Sequence, residues 1–222
     1  MRKTTPRLRS APLGGPKFDF IARHPVLDFH NTVAWPRRGK SNNRLPRPID
    51  LVRWATESGI ITRDETRKLR AYCIRDGSRS RLELAEALRL RDLMHHLFSD
   101  LVEQRPPADA SIAALNRHLK KLRSRQRIEW QHGELRWSPV VRRGTKLIMD
   151  RLALNAAELL TSEDVQRLRT CANPECGWLF LDTTRNGLRK WCSMAECGGR
   201  AKSKRYYESQ RKLQKRAARA SD

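Results

Sequence analysis

Acidic residues, tyrosine and phenylalanine are scarce in this 222-residue chain, and long apolar runs are missing altogether. Only 24 Asp plus Glu stand against 47 Lys plus Arg, so the formal net charge is +23 at pH 7. Such a surplus repels itself in the compact state, and a phosphate backbone relieves it while releasing counterions. Polyanionic partners are therefore expected, and charge alone does not separate DNA from RNA, ribosomes or an anionic membrane surface. Three Tyr and five Phe are too few for an all-β sandwich, whereas abundant Leu and Ala favour helices. No stretch approaches the roughly 18–20 apolar residues of a membrane span, so no membrane partner is expected. The N-terminal MRKTTPRLRSAPLGGPK has no hydrophobic signal core, and its prolines spoil the amphipathic helix of a transit peptide. Secretion is therefore not expected.

What is present divides into three. Residues 1–22 form a basic, poorly ordered segment. Residues 23–165 read as a helical domain, entered through the apolar island Pro25 to Trp35 and a basic loop from Pro36 to Pro48. Asp50 is an N-cap candidate for a short helix that Gly59 stops. Thr62 with Glu65 and Ser80 with Glu83 each match a capping box. Leu90, Leu93, Met94, Leu97 and Leu101 share one helical face before Pro106-Pro107. Asp109 opens a further helix with Ile112, Leu115, Leu119 and Leu122 as its buried stripe. Arg127 to Trp137 alternates around His132-Gly133, which predicts a hairpin with Trp130 and Trp137 on the core face. A helix from about Val140 to Leu160 and a helical connector from Ser162 to Thr170 complete this domain. Cys73 and the pair His95-His96 are read as core or core-rim residues.

Residues 166–222 differ in character. Four of the five cysteines lie here: Cys171, Cys176, Cys192 and Cys197, in the pattern C-x4-C, fifteen residues, C-x4-C. Two cysteine pairs around a short hairpin can deliver four tetrahedral thiolates to one structural Zn²⁺. The alternative is two disulfides, which a reducing cytosol disfavours. Trp178 to Leu181 reads as a strand, Asn186-Gly187 as a turn and Leu188 to Trp191 as the return strand. A long basic helix follows. The arrangement is treble-clef-like, and its own apolar groups are so few that metal is expected to supply most of its stability.

The run Cys171-Ala172-Asn173-Pro174-Glu175-Cys176, with Trp191-Cys192-Ser193-Met194 and Cys197-Gly198-Gly199-Arg200, resembles the CGNR zinc finger. Upstream, Leu27-Asp28-Phe29-His30-Asn31-Thr32 and Asp50-Leu51-Val52-Arg53-Trp54 resemble the ABATE domain that usually precedes that finger. Proteins of this type are regarded as bacterial stress-induced transcription regulators, so the resemblance implies DNA binding and a cytoplasmic, nucleoid-associated location. Gly199 stands where the family has the asparagine of its name.

The terminal helix carries Arg200, Lys202, Lys204, Arg205, Arg211, Lys212 and Lys215, with Arg185, Arg189 and Lys190 on the hairpin before it. These are the candidate nucleic-acid contacts, those nearest the zinc knuckle reaching for base edges and the rest for phosphate. The distal half of the helix is expected to fray alone. Asp28, Asn31, Thr32 and Arg53 are candidates for a small ligand site, with a purely structural role as the alternative. Three functions compete: a DNA-binding regulator with a sensing or scaffolding helical domain, an RNA or ribosome binder that stacks bases on Trp178 and Trp191, and a treble-clef nuclease. Nuclease chemistry wants a general base, usually His, and no His occurs from Cys171 to Asp222. No enzymatic activity is expected.

Overall fold

The computed structural model describes residues 16–36, 42–123, 127–131, 133–138 and 144–220. The expectations for residues 1–15, for residues 37–41 of the Pro36–Pro48 loop, for His132 and for Val140 lie outside them, as do those for the side chains of Trp137, Lys212 and Lys215. Helices α1 (Pro25–His30), α2 (Pro48–Glu57), α3 (Arg63–Arg75), α4 (Gly77–Val102), α5 (Asp109–Arg123) and α6 (Lys146–Leu160) build the first part, with a hairpin of β1 (Arg127–Gln131) and β2 (Glu134–Ser138) between α5 and α6. A 3-10 turn, Glu163–Arg167, leads to β3 (Leu168–Thr170), which pairs antiparallel with β4 (Leu179–Leu181). The chain ends in a π-type turn, Met194–Gly198, and α7 (Gly199–Ala220). The mainly helical class and the treble-clef-like carboxy-terminal lobe are as the sequence implied.

Helix α4 is the central column. Leu90, Met94 and Leu97 are buried on its inner face, with Leu93 and Leu101 at the margin. Its start corrects the reading of Ser80 and Glu83. The helix begins at Gly77, and both residues lie inside it, buried. Glu83 accepts from Tyr72 Oη at 3.0 Å and from Thr145 N and Oγ1 at 2.7 and 2.9 Å. A polar spacing that mimics a cap thus ties α3, α4 and the start of α6. The capping box of Thr62 and Glu65 does form, and Gly59 does follow α2 with φ +77°. Asp50 lies inside the first turn of α2, held by Arg47 at 2.9 Å, so it is not the cap.

Other boundaries shift for similar reasons. Helix α6 starts at Lys146, after Gly144 turns the chain at φ +80°. Ile112 is exposed, leaving Leu115 and Leu122 to bury α5. The hairpin forms in the expected register, but Trp130 is 70% exposed with Ile128 and Leu135 beside it. Alternation fixed the pairing; nothing in it specified a covering layer. Helix α7 runs to Ala220, consistent with its strong helix formers Lys, Arg, Gln and Ala.

The largest correction concerns the carboxy-terminal lobe. Its apolar strand has no separate core: Trp178, Leu179, Phe180 and Leu181 are buried in the same cluster as Phe29, Trp54, Met94 and Phe98. Residues 188–191 form no strand, and β4 pairs with β3 from the former connector. The other edge of β4 is closed by the amino-terminal segment. Asn31 Nδ2 donates to Leu179 O at 2.8 Å, and Leu179 N donates back to Asn31 Oδ1 at 3.0 Å. Leu181 N donates to Ala22 O at 3.0 Å, and Trp178 Nε1 to Val33 O at 2.9 Å. An exposed strand edge is thereby removed.

His30 sits behind Asn31 with no exposure at all. Asn31 Oδ1 carries no hydrogen, so the 3.0 Å contact from His30 Nδ1 is an N–H donated to it. The neutral ring then accepts at Nε2 from His95 Nδ1, also at 3.0 Å. Burial pushes the His30 pKa down to about 3.

Two outcomes are expected. Asn31→Ala strands two buried backbone groups and lowers unfolding free energy by about 2–4 kcal/mol in denaturant titration. The unfolded chain binds a proton on His30 below about pH 6.5, which the fold refuses down to about pH 3. Stability therefore falls as pH drops through that window, and His30→Gln flattens the slope by up to about 1.4 kcal/mol per pH unit. Equal slopes for both proteins in urea melts between these limits refute this.

Candidate metal centre

The chain between β3 and β4 is a tight knuckle carrying Cys171 and Cys176. Asn173 shapes it: its Oδ1 accepts from Glu175 N at 3.1 Å, and its carbonyl accepts from Cys176 N at 3.0 Å. Gly177 leaves the knuckle at φ +63°, pressed so closely on the Trp35 backbone that any Cβ would overlap the Trp35 carbonyl. Trp35 N donates to Cys176 O at 3.0 Å in the same contact. On the facing side, Ser193 Oγ accepts from Glu196 N, starting the turn that holds Cys197.

All four cysteines are buried, and their Sγ atoms lie within 4.8 Å of one another. The Cys176–Cys192 and Cys192–Cys197 sulfurs are each 3.6 Å apart. A disulfide needs roughly 2.05 Å, and all four are free thiols. Ligands at about 2.3 Å around a tetrahedral Zn²⁺ lie about 3.8 Å from one another, so the donor set fits one zinc ion. With all four positions taken by thiolates, the ion is structural.

The electrostatics favour a cation. Hydrogen bonds from the Cys176 and Cys192 thiols push the Cys171 pKa well down, and the same two bonds push Cys176 and Cys192 up. Those bonds favour a thiolate at Cys171 while Cys176 and Cys192 keep their protons. A divalent ion displaces those protons and holds four thiolates. Neighbouring donors then support the sulfur charge: Asn173 Nδ2 lies 3.5 Å and Arg200 Nη2 3.4 Å from Cys197 Sγ. Such donors orient the ligands and balance the net negative charge of a tetrathiolate site. A Cβ at Gly199 would meet only the Met194 carbonyl, at 3.7 Å, so the missing family asparagine leaves room rather than a clash.

Several candidate contacts change role. The Arg189 guanidinium lies 4.2 Å over the Phe180 ring and donates to the carbonyls of Ile21, Trp191 and Cys192. Asp182 accepts from Arg189 N at 2.8 Å. This arginine braces the lobe and is not free for phosphate. Arg185, Lys190, Arg200, Lys202, Lys204, Arg205 and Arg211 are exposed. Asp28, Asn31, Thr32 and Arg53 do not converge on one site. Asp28 Oδ1 accepts from Ala22 N, Asn31 bonds Leu179, and Thr32 Oγ1 bonds Phe29 O and Arg91. Arg53 donates to Pro16 O and packs over Phe18. Burial raises the Asp28 carboxyl pKa to about 7. Trp178 is sealed in the core, which removes it as a stacking surface, and Trp191 is half-buried. Sequence reasoning missed Asn31 as a strand partner, although it stands inside the quoted Leu27–Thr32 motif.

A helical domain fused to a closed four-cysteine knuckle and a basic helix defines a zinc-finger protein. Residues 23–163 match the ABATE family, described as "putative stress-induced transcription regulator", and residues 167–210 match the CGNR zinc finger. The chain belongs to the ABATE family and carries the CGNR finger. No curated protein matches it.

Purified protein is expected to hold one zinc per chain by atomic absorption. Cys176→Ser loses most of that zinc, whereas Cys73→Ser, a half-buried thiol whose pKa burial raises to about 11, keeps it.

Proposed function

We propose that this zinc protein is a cytoplasmic transcription regulator that binds duplex DNA through α7 and acts by binding, without catalysis. One observation carries the reading. Helix α7 holds Arg200, Lys202, Lys204, Arg205, Arg211, Lys212, Lys215, Arg216 and Arg219 against a single acid, Glu208. Residues 202–211 are exposed on every side. At 22 residues the helix extends about 33 Å, and its main packing partner is the turn bearing Cys197. A helix so charged and so little packed draws its use from something outside the chain. The zinc knuckle supplies the rigid root that a DNA reader needs.

Duplex geometry suits a single extended helix better than a folded RNA does, since the major groove of DNA admits a helix and that of RNA does not. Arg185 and Lys190, on the exposed loop after β4, add cations beside the knuckle. Exposed Tyr206 and Tyr207, with ring centroids 5.8 Å apart, offer contacts to sugar and phosphate. No helix among the described residues is long and apolar enough to cross a membrane.

Fluorescence anisotropy with labelled duplex over a salt series tests this. Affinity is expected to fall steeply with salt, the log–log slope giving about 0.9 per phosphate contacted. Lys204→Ala with Arg205→Ala reduces that slope by about two. Affinity indifferent to salt, or stronger for single strands or structured RNA than for duplex, overturns the reading.

A further inference from the structure

Arg91 is an anomaly in the helical domain. It projects from the middle of α4 and is only 5% exposed, yet it forms no ion pair with any described residue. Nη1 donates to Thr32 Oγ1 and to Asn43 Oδ1, each at 2.9 Å. Both acceptors are neutral. Nε is buried and has no hydrogen-bond partner among the described residues. Arginine is rarely buried without a partner, and an unpaired buried charge is strongly disfavoured. Nη1 alone of the guanidinium nitrogens bonds a described residue, and a carboxylate is the group that an arginine pairs with most strongly.

This arginine lines a cleft of about 290 Å³ with Val33, Ala34, Trp35, Pro36, Asp92 and His95. One wall is apolar and flat. Trp35 and His95 are stacked with centroids 3.8 Å apart and planes 2° from parallel. At its rim stands the exposed carboxylate of Asp92. The volume lies at the small end for ligand sites and suits a molecule the size of a substituted benzene ring.

We propose that this cleft binds a small, flat organic carboxylate, its anionic end paired with Arg91 and a hydrogen-bond donor at its far end meeting Asp92. The cleft is also wired to the zinc lobe. His95 donates to His30, His30 to Asn31 and Asn31 to the Leu179 carbonyl of β4. Trp35 separately donates to Cys176 O. A ligand that orders Trp35 and His95 therefore acts on the two elements that seat the knuckle. This site differs from the scattered Asp28, Asn31, Thr32 and Arg53, and it stands independently of the DNA-binding reading because its test contains no nucleic acid.

The test is calorimetric titration of the full zinc-loaded chain with 4-hydroxybenzoate, benzoate, acetate and inorganic phosphate. Saturable one-to-one binding of 4-hydroxybenzoate, tighter than benzoate and far tighter than acetate or phosphate, is expected. Arg91→Met weakens it by about tenfold or more. Because Arg91 also holds Thr32 and Asn43, a second variant, Ala34→Trp, fills the cleft while leaving the arginine in place. It abolishes binding with zinc content and helicity unchanged. Failure of every aromatic carboxylate to bind at millimolar concentration overturns the proposal. So does phosphate binding as well as the carboxylates, or binding that survives Ala34→Trp.

Discussion

One side-chain amide holds the two parts of this molecule in register. Asn31, at the end of the short α1, donates to and accepts from the same residue of β4, Leu179, as a neighbouring strand would. Both Leu179 groups are buried and face away from β3, so without Asn31 they have no partner. Ala22 and Val33 extend the lacing to Leu181 and to the Trp178 indole. The helical domain thus provides the third edge of a sheet whose other two strands bracket the zinc knuckle.

This constraint changes how the metal acts. A free-standing finger draws its folding free energy from zinc because its own core is thin. Here Phe180 and its neighbours are buried against α1 and α4, and the ion is asked for something narrower. It fixes the turn of Cys197 to the knuckle of Cys171 and Cys176, which sets the direction in which α7 leaves the body. Arg189 and Arg200 complete that joint. The first sits on Phe180 and takes carbonyls from Ile21 to Cys192; the second touches Cys197 Sγ and the carboxylate of Glu196. Cations that composition alone would send to nucleic acid serve here to hold the structure from which the other cations project.

How much of this was legible in the sequence depends on the range of the interaction. The four ligands and the basic helix rest on local spacing, as do the Thr62–Glu65 cap and the α4 stripe, and each was readable. The Ser80–Glu83 pair failed because a capping box and a buried hub have the same spacing, and only Thr145, 62 residues beyond Glu83, distinguishes them. The return strand after Gly187 failed similarly. Two partners were open to β4, and the nearer in sequence lost to Leu168–Thr170 on one edge and Asn31 on the other. Trp130 was placed inward because alternation reports a face without saying which side is covered. Arg91 drew no notice, since an arginine in a helix is ordinary until its burial and lack of a carboxylate are seen.

Zinc, Asn31 and the helical domain therefore form one unit from which α7 projects. Amide hydrogen exchange on the full chain, before and after zinc is stripped under reductant, measures this most directly. Exchange is predicted to accelerate in the knuckle, in β4 and, through Asn31 and Trp35, in the segment from Leu27 to Trp35, while α5 stays unchanged. Acceleration confined to residues 171–200, with Leu179 and the α1 amides as protected as before, would contradict it.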